Sequence, residues 1–414
     1  MNYIFDYIDD CMQDSMRKQT SLRRNEGRGL SINKVEDAVV LPMQFKEKIL
    51  GGVIAGNGDF ISNTGFHIGK EGVYSFAAES VTFISKPSLY LGYFNSTWGH
   101  CFTDNFKLLW PFACEYGKDF FEKHDVELIY TSDSGFKFSE NFKELLSLVG
   151  IDVEKLKRVD TVSRFDCLYV PEACFYTKGG EERFYTEEYV DIINKLTRDI
   201  VPIEVDKIYL TRTNLKVSRD IGEKDIEKVF KKLGYKIISP EGLSLRKQLG
   251  YIKGCKCLAT TEGSISHNAV FMSRGTQIEI IRKVPFINEY QIALNEIKEL
   301  NVTYIDAHLS IFVRNDVPAA GPFFIYVNDN LLNFAKRDDF YNTFSIKRFR
   351  NYVDTCAILP HLEQRVQLPF YYYAKASFEI ERKKEELRRR LSRFSFLSPN
   401  IKKRIISLGK KLIK

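Results

Sequence analysis

Both tryptophans of the chain and one of its six histidines fall within one stretch, Tyr90 to Pro111, reading Tyr-Leu-Gly-Tyr-Phe-Asn-Ser-Thr-Trp-Gly-His-Cys-Phe-Thr-Asp-Asn-Phe-Lys-Leu-Leu-Trp-Pro. Asp104 follows His100 by four residues. If the segment from Trp98 is helical, that spacing puts both on one face, where the carboxylate can orient the imidazole and raise its basicity. Such a pair can take a proton from a hydroxyl. The other reading is an interior histidine at a helix start, satisfied by a backbone carbonyl. Gly92, Gly99 and the flanking aromatics mark a strand-to-helix connection, the kind of open loop at which α/β sheets bind ligands.

A second group is spread over Tyr209-Leu-Thr-Arg212, Arg219 and Thr261-Glu262-Gly263-Ser264-Ile-Ser-His267-Asn268. Gly263 and Ser264 come between a strand-like run and a helix-like one, so backbone N–H groups and a helix dipole should point at whatever occupies the crevice. Arg212 and Arg219 follow the first strand of the same region, and a guanidinium grips a diphosphate bidentately where a lysine acts as a point charge. Separately these are a helix cap and a surface arginine pair. Together, at the carboxyl ends of neighbouring strands, they read as a nucleotide-diphosphate site. Neither Gly-x-Gly-x-x-Gly nor Gly-x-x-x-x-Gly-Lys-Ser/Thr occurs in this half, which argues against a dinucleotide oxidoreductase, an epimerase or a P-loop NTPase.

The elements that must position these residues are clearest between 206 and 305. Strands are predicted at 207–211, 235–239, 257–260, 277–281 and 302–305, and helices at 225–233, 243–252, 266–272 and 289–300. Such alternation with short loops predicts a parallel sheet covered on both faces, a Rossmann-like half. Before it come short Gly-rich strands over 49–92, a strand at 127–131, a helix at 140–148, a strand at 166–170 and a helix at 187–199. These predict a second α/β layer elaborated with β-hairpins. Beyond about residue 328 the pattern turns to aromatic-rich helix, including Phe340 to Phe349 and Tyr371 to Tyr373.

At 414 residues, 44% apolar and 28% charged, the chain is long enough for two or three domains and ordinary enough in composition to fold throughout. Its net charge of +7 is unevenly placed: residues 381–414 carry thirteen basic and three acidic residues, so everything before them is slightly acidic. That argues against a nucleic-acid-binding body, which needs a basic stripe on the folded surface. Eight scattered cysteines and no leader-like start predict reduced thiols and a cytoplasmic protein, and no apolar run approaches the ~20 residues of a membrane span. Cys255-Lys-Cys257 has the wrong spacing for a zinc or redox pair and reads as buried core. No metal site or cofactor is expected.

Tyr209-Leu-Thr-Arg212, Arg219, Pro240-Glu241-Gly-Leu-Ser-Leu245, Gln248, Glu262-Gly263-Ser264 with Asn268, and Ile278-Glu279 together resemble, in order, the C-terminal pattern of glycosyltransferase family 61. Gly99-His100 with Asp104 and Leu109-Trp110-Pro111 resembles that family's N-terminal His and Asp segment. The resemblance covers roughly residues 50 to 310. It implies an inverting glycosyltransferase of GT-B type: two facing Rossmann-like domains, with the donor in the C-terminal one. Many bacterial relatives serve capsule or surface polysaccharide pathways. The chain departs from the family at Glu262-Gly263-Ser264, where many members have a His-Gly-Ala-like turn. This replaces a possible donor by an acceptor, although His267 follows five residues later.

On this resemblance His100 is the expected base that deprotonates the acceptor hydroxyl, with Asp104 the second choice. Arg212 and Arg219 would hold the diphosphate, and Gly263, Ser264 and the following backbone its oxygens. Glu241 and Gln248 would serve the nucleoside side or shape its loop; Glu262, His267, Asn268, Glu279 and Arg282 would wall the cleft, the last two alternatively as an ion pair bracing the sheet. The chain has no Asp-x-Asp, the motif through which many GT-A enzymes hold a metal on the sugar diphosphate, which suits a metal-independent reaction. The expected partners are a nucleotide sugar and a glycan or lipid-linked glycan; the competing reading is a non-catalytic α/β scaffold. The expected organisation is a helical extension over 1–40, an acceptor-side α/β domain over 41–203, a nucleotide-sugar domain over 204–328, helices packing back over 329–380, and a tail over 381–414.

In the tail, Ile401, Ile405, Leu408 and Leu412 recur at helical spacing among Lys402, Lys403, Arg404, Lys410, Lys411 and Lys414. A cationic amphipathic helix of this kind can lie in an anionic membrane interface, each basic residue adding about 1 kcal/mol; otherwise it is a solvated helix packed on the body. The first reading places the protein peripherally on the inner face of the cell membrane. Deleting residues 381–414 should then move it from the membrane to the soluble fraction on cell fractionation, and retention at the membrane would rule out the anchor.

Overall fold

The alternating segments of the second half close, in the computed structural model of the chain, into a six-stranded all-parallel sheet. The structure describes residues 1–21, 24–26, 29–45, 49–66, 72–133, 135–178, 182–215, 220–308, 323–349 and 351–352. The strand order is Asn2–Tyr7, Asn301–Asp306, Gln277–Arg282, Cys255–Thr261, Val205–Leu210, Lys236–Ile238. Its register aligns Leu210, Thr260, Ile280 and Tyr304 in one row, so the chain leaves four neighbouring strands on the same edge. Apolar side chains are buried on both faces of the inner strands because both faces are covered, as at Ile278, Ile280 and Ile281. The covers are the helices Glu223–Lys232, Leu245–Gly254 and Glu289–Ile297, the first burying Ile226, Val229 and Phe230.

Three expectations are corrected in detail. The helix expected over 266–272 is a six-residue 3-10 helix, Ser266–Phe271, with every residue buried. The helix expected over 340–349 starts only after Ser345, whose carbonyl accepts from Phe349 N at 2.9 Å. Residues 1–40 are not a helical extension: the helix Asp10–Ser21 is flanked by strands, and Asn2–Tyr7 is the edge strand of the parallel sheet. The cause is packing across strands. Tyr3 and Phe5 both stack on Tyr304, with ring centroids 6.3 and 6.2 Å away, while Ile4 between them faces outward.

The second sheet has eight strands. Along its path run Phe60–Ile61, Ile49–Ile54, Ile32–Phe45, Ser163–Pro171, Ser88–Phe94, Glu127–Ser132 and Leu156–Arg158, with Thr82–Ile84 also paired to Ser163–Pro171. Its first three pairings are antiparallel and the rest parallel. Only the parallel part is Rossmann-like, because the three-residue link from Phe45 to Ile49 can join only antiparallel neighbours. The Glu140–Leu148 and Glu187–Arg198 helices form where the sequence places them.

The two sheets share one hydrophobic core, which takes in Phe102, Phe106 and Tyr189 from one side and Leu245, Leu258 and Phe271 from the other. Beyond residue 322, Phe323–Phe324 pairs with Asp220–Ile221, and Phe324, Tyr326, Phe344, Phe349 and Tyr352 cluster edge to face or tilted. Tyr371 to Tyr373 and the basic tail lie outside the described residues. Among those described, no helix is long and apolar enough to cross a membrane. Cys255 and Cys257 are buried free thiols.

The edge of the parallel sheet is tied by Arg282, whose Nη1 lies 2.8 Å from Asp306 Oδ1, both side chains fully buried. Asp306 also accepts from Asp9 N at 2.9 Å. Burial raises the Asp306 carboxyl, but the charges of His308 and Arg282 outweigh it and hold it at about 2. A depressed folded value means stability that is present above the ordinary carboxyl range and lost as pH falls towards 2. Arg282→Met should lower unfolding stability by about 3–5 kcal/mol, since it strands a buried carboxylate. The loss should be largest near neutral pH and shrink as pH falls and Asp306 takes up a proton, in urea titrations followed by circular dichroism.

Candidate active site

The fully buried strand Ser88–Phe94 delivers the chain to a polar turn, where Thr97 N donates to Asn95 Oδ1 at 2.6 Å. A helical turn at Trp98–His100 widens into a π turn over Cys101–Asn105 and tightens into a 3-10 turn over Phe106–Leu108. The expected helix is therefore irregular, as is common at functional sites. It still joins the expected pair: His100 Nδ1 lies 2.6 Å from Asp104 Oδ2. Thr103 Oγ1 donates to the same oxygen at 2.7 Å. Burial raises the Asp104 carboxyl, yet the hydrogen bond and charge of His100, together with Lys107 and Thr103, hold it below its ordinary value. With Nδ1–H directed at this carboxylate, Nε2 is the atom left to act as base. The imidazole is about one-third exposed and the carboxylate nearly buried. Its ring lies 5.6 Å from that of Phe66, next to Gly65, whose carbonyl accepts from buried Lys107 Nζ at 3.0 Å.

This turn rests directly on the carboxyl edge of the parallel sheet. Trp98 Nε1 donates to Asn268 Oδ1 at 3.0 Å, and the Phe102 and Phe271 rings meet edge to face at 5.1 Å. A Cβ on Gly99 would stand 2.8 Å from Ser264 Oγ and 3.0 Å from His267 Nδ1, so glycine permits the approach. Burial lowers His267 to about 4, and its imidazole is neutral. His100 and Asp104 are thus brought beside Ser264, His267 and Asn268 from nearly 170 residues away along the chain.

Gly263 turns the chain with φ +116° after the strand Cys255–Thr261. Its own amide is consumed, donating to Ser266 Oγ at 3.1 Å, and the helix that follows is only one short 3-10 segment. The amides of Ser264 and Ile265 have no partner among the described residues. The dipole of a long helix is therefore missing, and positive potential at this turn must come largely from side chains. Arg212 is anchored there: its backbone N donates to Glu223 Oε1 at 3.0 Å and its Nη1 lies 3.6 Å from Asp220 Oδ2. Burial and the neighbouring Asp220 push Glu223 up to about 7. Asp220, Glu223 and Lys283 were not foreseen from sequence. The acids Asp220 and Glu223 flanking Gly222 just after Arg219 are the signal that could have found them. Arg219 itself lies outside the described residues.

Other expected residues take different places. Glu262 is buried beside Gly263, and burial pushes its carboxyl up to about 7; its Oε2 has no partner among the described residues. Glu241 is on the 3-10 turn Pro240–Gly242 and accepts from Ser239 Oγ at 3.3 Å, while Gln248 Nε2 donates to Leu243 O at 2.8 Å and so braces that loop. Glu279 does not wall the cleft: it sits in mid-strand and accepts from Tyr235 OH at 2.6 Å. Nor does it pair with Arg282, whose partner is Asp306. A cavity of about 830 Å³ between helix Glu140–Leu148 and Ser244–Arg246 shares no residue with this site. Asp9, Asp306 and His308 bring possible metal-ligand atoms within 4.8 Å of one another, but the Arg282 guanidinium already satisfies Asp306 there.

Residues 98–278 match the family model described as Glycosyltransferase 61. The match starts at Trp98, spans the His100–Asp104 pair and the Gly263 turn, and supports a glycosyltransferase, which would bind a donor and an acceptor. No curated protein matches the chain. His100→Gln should leave folding intact and lower transferase turnover by about 10²- to 10⁴-fold, the usual worth of a general base. Asp104→Asn, which removes the anchor of the Nδ1 tautomer, should also act mainly on kcat, measured with saturating donor.

Proposed function

We propose that the protein is an inverting, metal-independent glycosyltransferase of GT-B type. It moves a sugar from a nucleotide-sugar donor to a hydroxyl of a glycan or lipid-linked glycan acceptor in surface polysaccharide biosynthesis, at the cytoplasmic face of the membrane. The observation that carries this reading is the His100–Asp104 pair, 2.6 Å apart, set against the Gly263–Ser264 turn of the facing sheet.

His100 Nε2 takes the proton of the acceptor hydroxyl as its oxygen attacks the anomeric carbon from the face opposite the diphosphate. The bond from that carbon to the diphosphate oxygen breaks, and its electron pair leaves with the nucleoside diphosphate. Asp104 stabilises the imidazolium that forms, as the short hydrogen bond and the depressed carboxyl indicate. Arg212 and the open Ser264 and Ile265 amides oppose the charge that develops on the leaving group. These fixed groups can do for the diphosphate what a divalent cation does elsewhere, which supports metal independence.

Thermal shift of the full chain against nucleoside diphosphates and nucleotide sugars, with and without chelator, tests the reading. A ligand present at 100 times its Kd should add about 2.7 kcal/mol of stability. The expected result is a chelator-insensitive shift by one nucleotide, abolished in Arg212→Ala. No shift with any of them would overturn the donor site and favour a non-catalytic scaffold.

A further inference from the structure

We infer that Lys283 is a further donor-binding residue, a buried ammonium set against the Gly263 turn to meet the donor's phosphates, with Asp220 as the positioning residue that holds both it and Arg212. The inference rests on the donor-site reading above and lies outside the residues matched by the family model, which end at 278.

Lys283 is the first residue after the strand Gln277–Arg282, so it leaves the sheet on the ligand edge beside Thr261 and Gly263. A Cβ on Gly263 would lie 3.5 Å from Lys283 Nζ: the ammonium lies against the residue whose left-handed backbone forms the seat. Nζ donates to Asp220 Oδ2 at 3.3 Å and Oδ1 at 3.4 Å, and lies 4.4 Å from the ring centroid of Phe323. Asp220 therefore stands between two cations, since Arg212 Nη1 reaches the same Oδ2. Burial and the charge of Asp220 push a second acid, Glu223, up to about 7. A diphosphate supplies the negative charge that this arrangement can accept.

The side chain of Lys283 is only 5% exposed. Burial lowers its ammonium, and the charge of Arg212 adds to the effect, while Asp220 and Glu223 oppose it. Keeping two cations this close under low dielectric is costly, and a buried ion pair alone is weak evidence of stabilisation because apolar side chains of similar volume serve as well. Cations at the carboxyl ends of parallel strands, where open α/β sheets take their ligands, have a use that a structural brace does not. The short 3-10 helix after Ser264 adds weight: with no long helix dipole at the turn, side-chain charge must do that work.

The test compares Kd values of the full chain for UDP, GDP, CDP and ADP, and for the matching nucleoside monophosphates, by calorimetry. For the diphosphate that wild type binds, Lys283→Gln should weaken affinity by roughly ten- to a hundredfold, the range for a lost charge-assisted hydrogen bond, and should weaken the monophosphate less. Unchanged diphosphate affinity in a Lys283→Gln protein that merely melts earlier would make Lys283 a structural brace and overturn the inference. If that variant does not fold, wild type treated with an acyl-phosphate derivative of the bound nucleotide should be acylated at Lys283; modification confined to other lysines would equally overturn it. Wild type binding none of the four would instead overturn the donor site itself, and this inference with it.

Discussion

The contact of Gly99 with Ser264 and His267 is the constraint on which the rest of the site depends. A Cβ at position 99 would stand within about 3 Å of both, so the His100 turn can approach the Ser264 turn this closely because the residue there lacks one. Around that point the junction is sealed by burial: Phe102 on Phe271, Trp98 on Asn268, and Tyr189 OH on the Phe102 carbonyl at 2.7 Å. Apolar area shared between the sheets sets their relative position, and polar contacts at the rim set the register of the His100 turn. The π turn over Cys101–Asn105 lies in this junction, with Asp104 bonded to His100 and with Phe102 and Phe106 in the core.

Two charge clusters sit on either side of that seam, and both use the same device. Each holds an acid nearly out of water and lets neighbouring cations or donors decide its charge. Asp104 stays ionised because His100, Lys107 and Thr103 outweigh its burial. Glu223 and Glu262 rise to about 7 because theirs do not. Low dielectric makes each arrangement sensitive to a single charge, so an anion arriving at the Gly263 turn changes the balance far more than it would at the surface. Arg282 and Asp306, by contrast, neutralise each other in the sheet and act as framework.

Much of the fold was legible because it rests on local pattern. Strand and helix alternated from 205 to 306 with periods that only a covered parallel sheet satisfies, and Ile226, Val229 and Phe230 face inward where helical spacing puts them. What escaped was long-range. Nothing in Asn2–Tyr7 announces that its partner is Asn301–Asp306, and a 3-10 helix at Ser266–Phe271 has too few residues for a period to show. Glu279 looked like a cleft residue through its place in a motif, but strand geometry turns its side chain to Tyr235.

For the site the division is the same. Spacing alone determined that His100 and Asp104 could pair, because four residues along a helical turn bring side chains onto one face. Residue types alone marked Arg212 and the Gly263–Ser264 turn as suited to phosphate. Only the tertiary structure decided that these two groups face each other, and that Asp220, Glu223 and Lys283 join the second of them. The contacts of Trp98 with Asn268 and of Lys283 with Asp220 link residues 170 and 63 positions apart, and they form through shared burial, which leaves no local periodicity in a sequence.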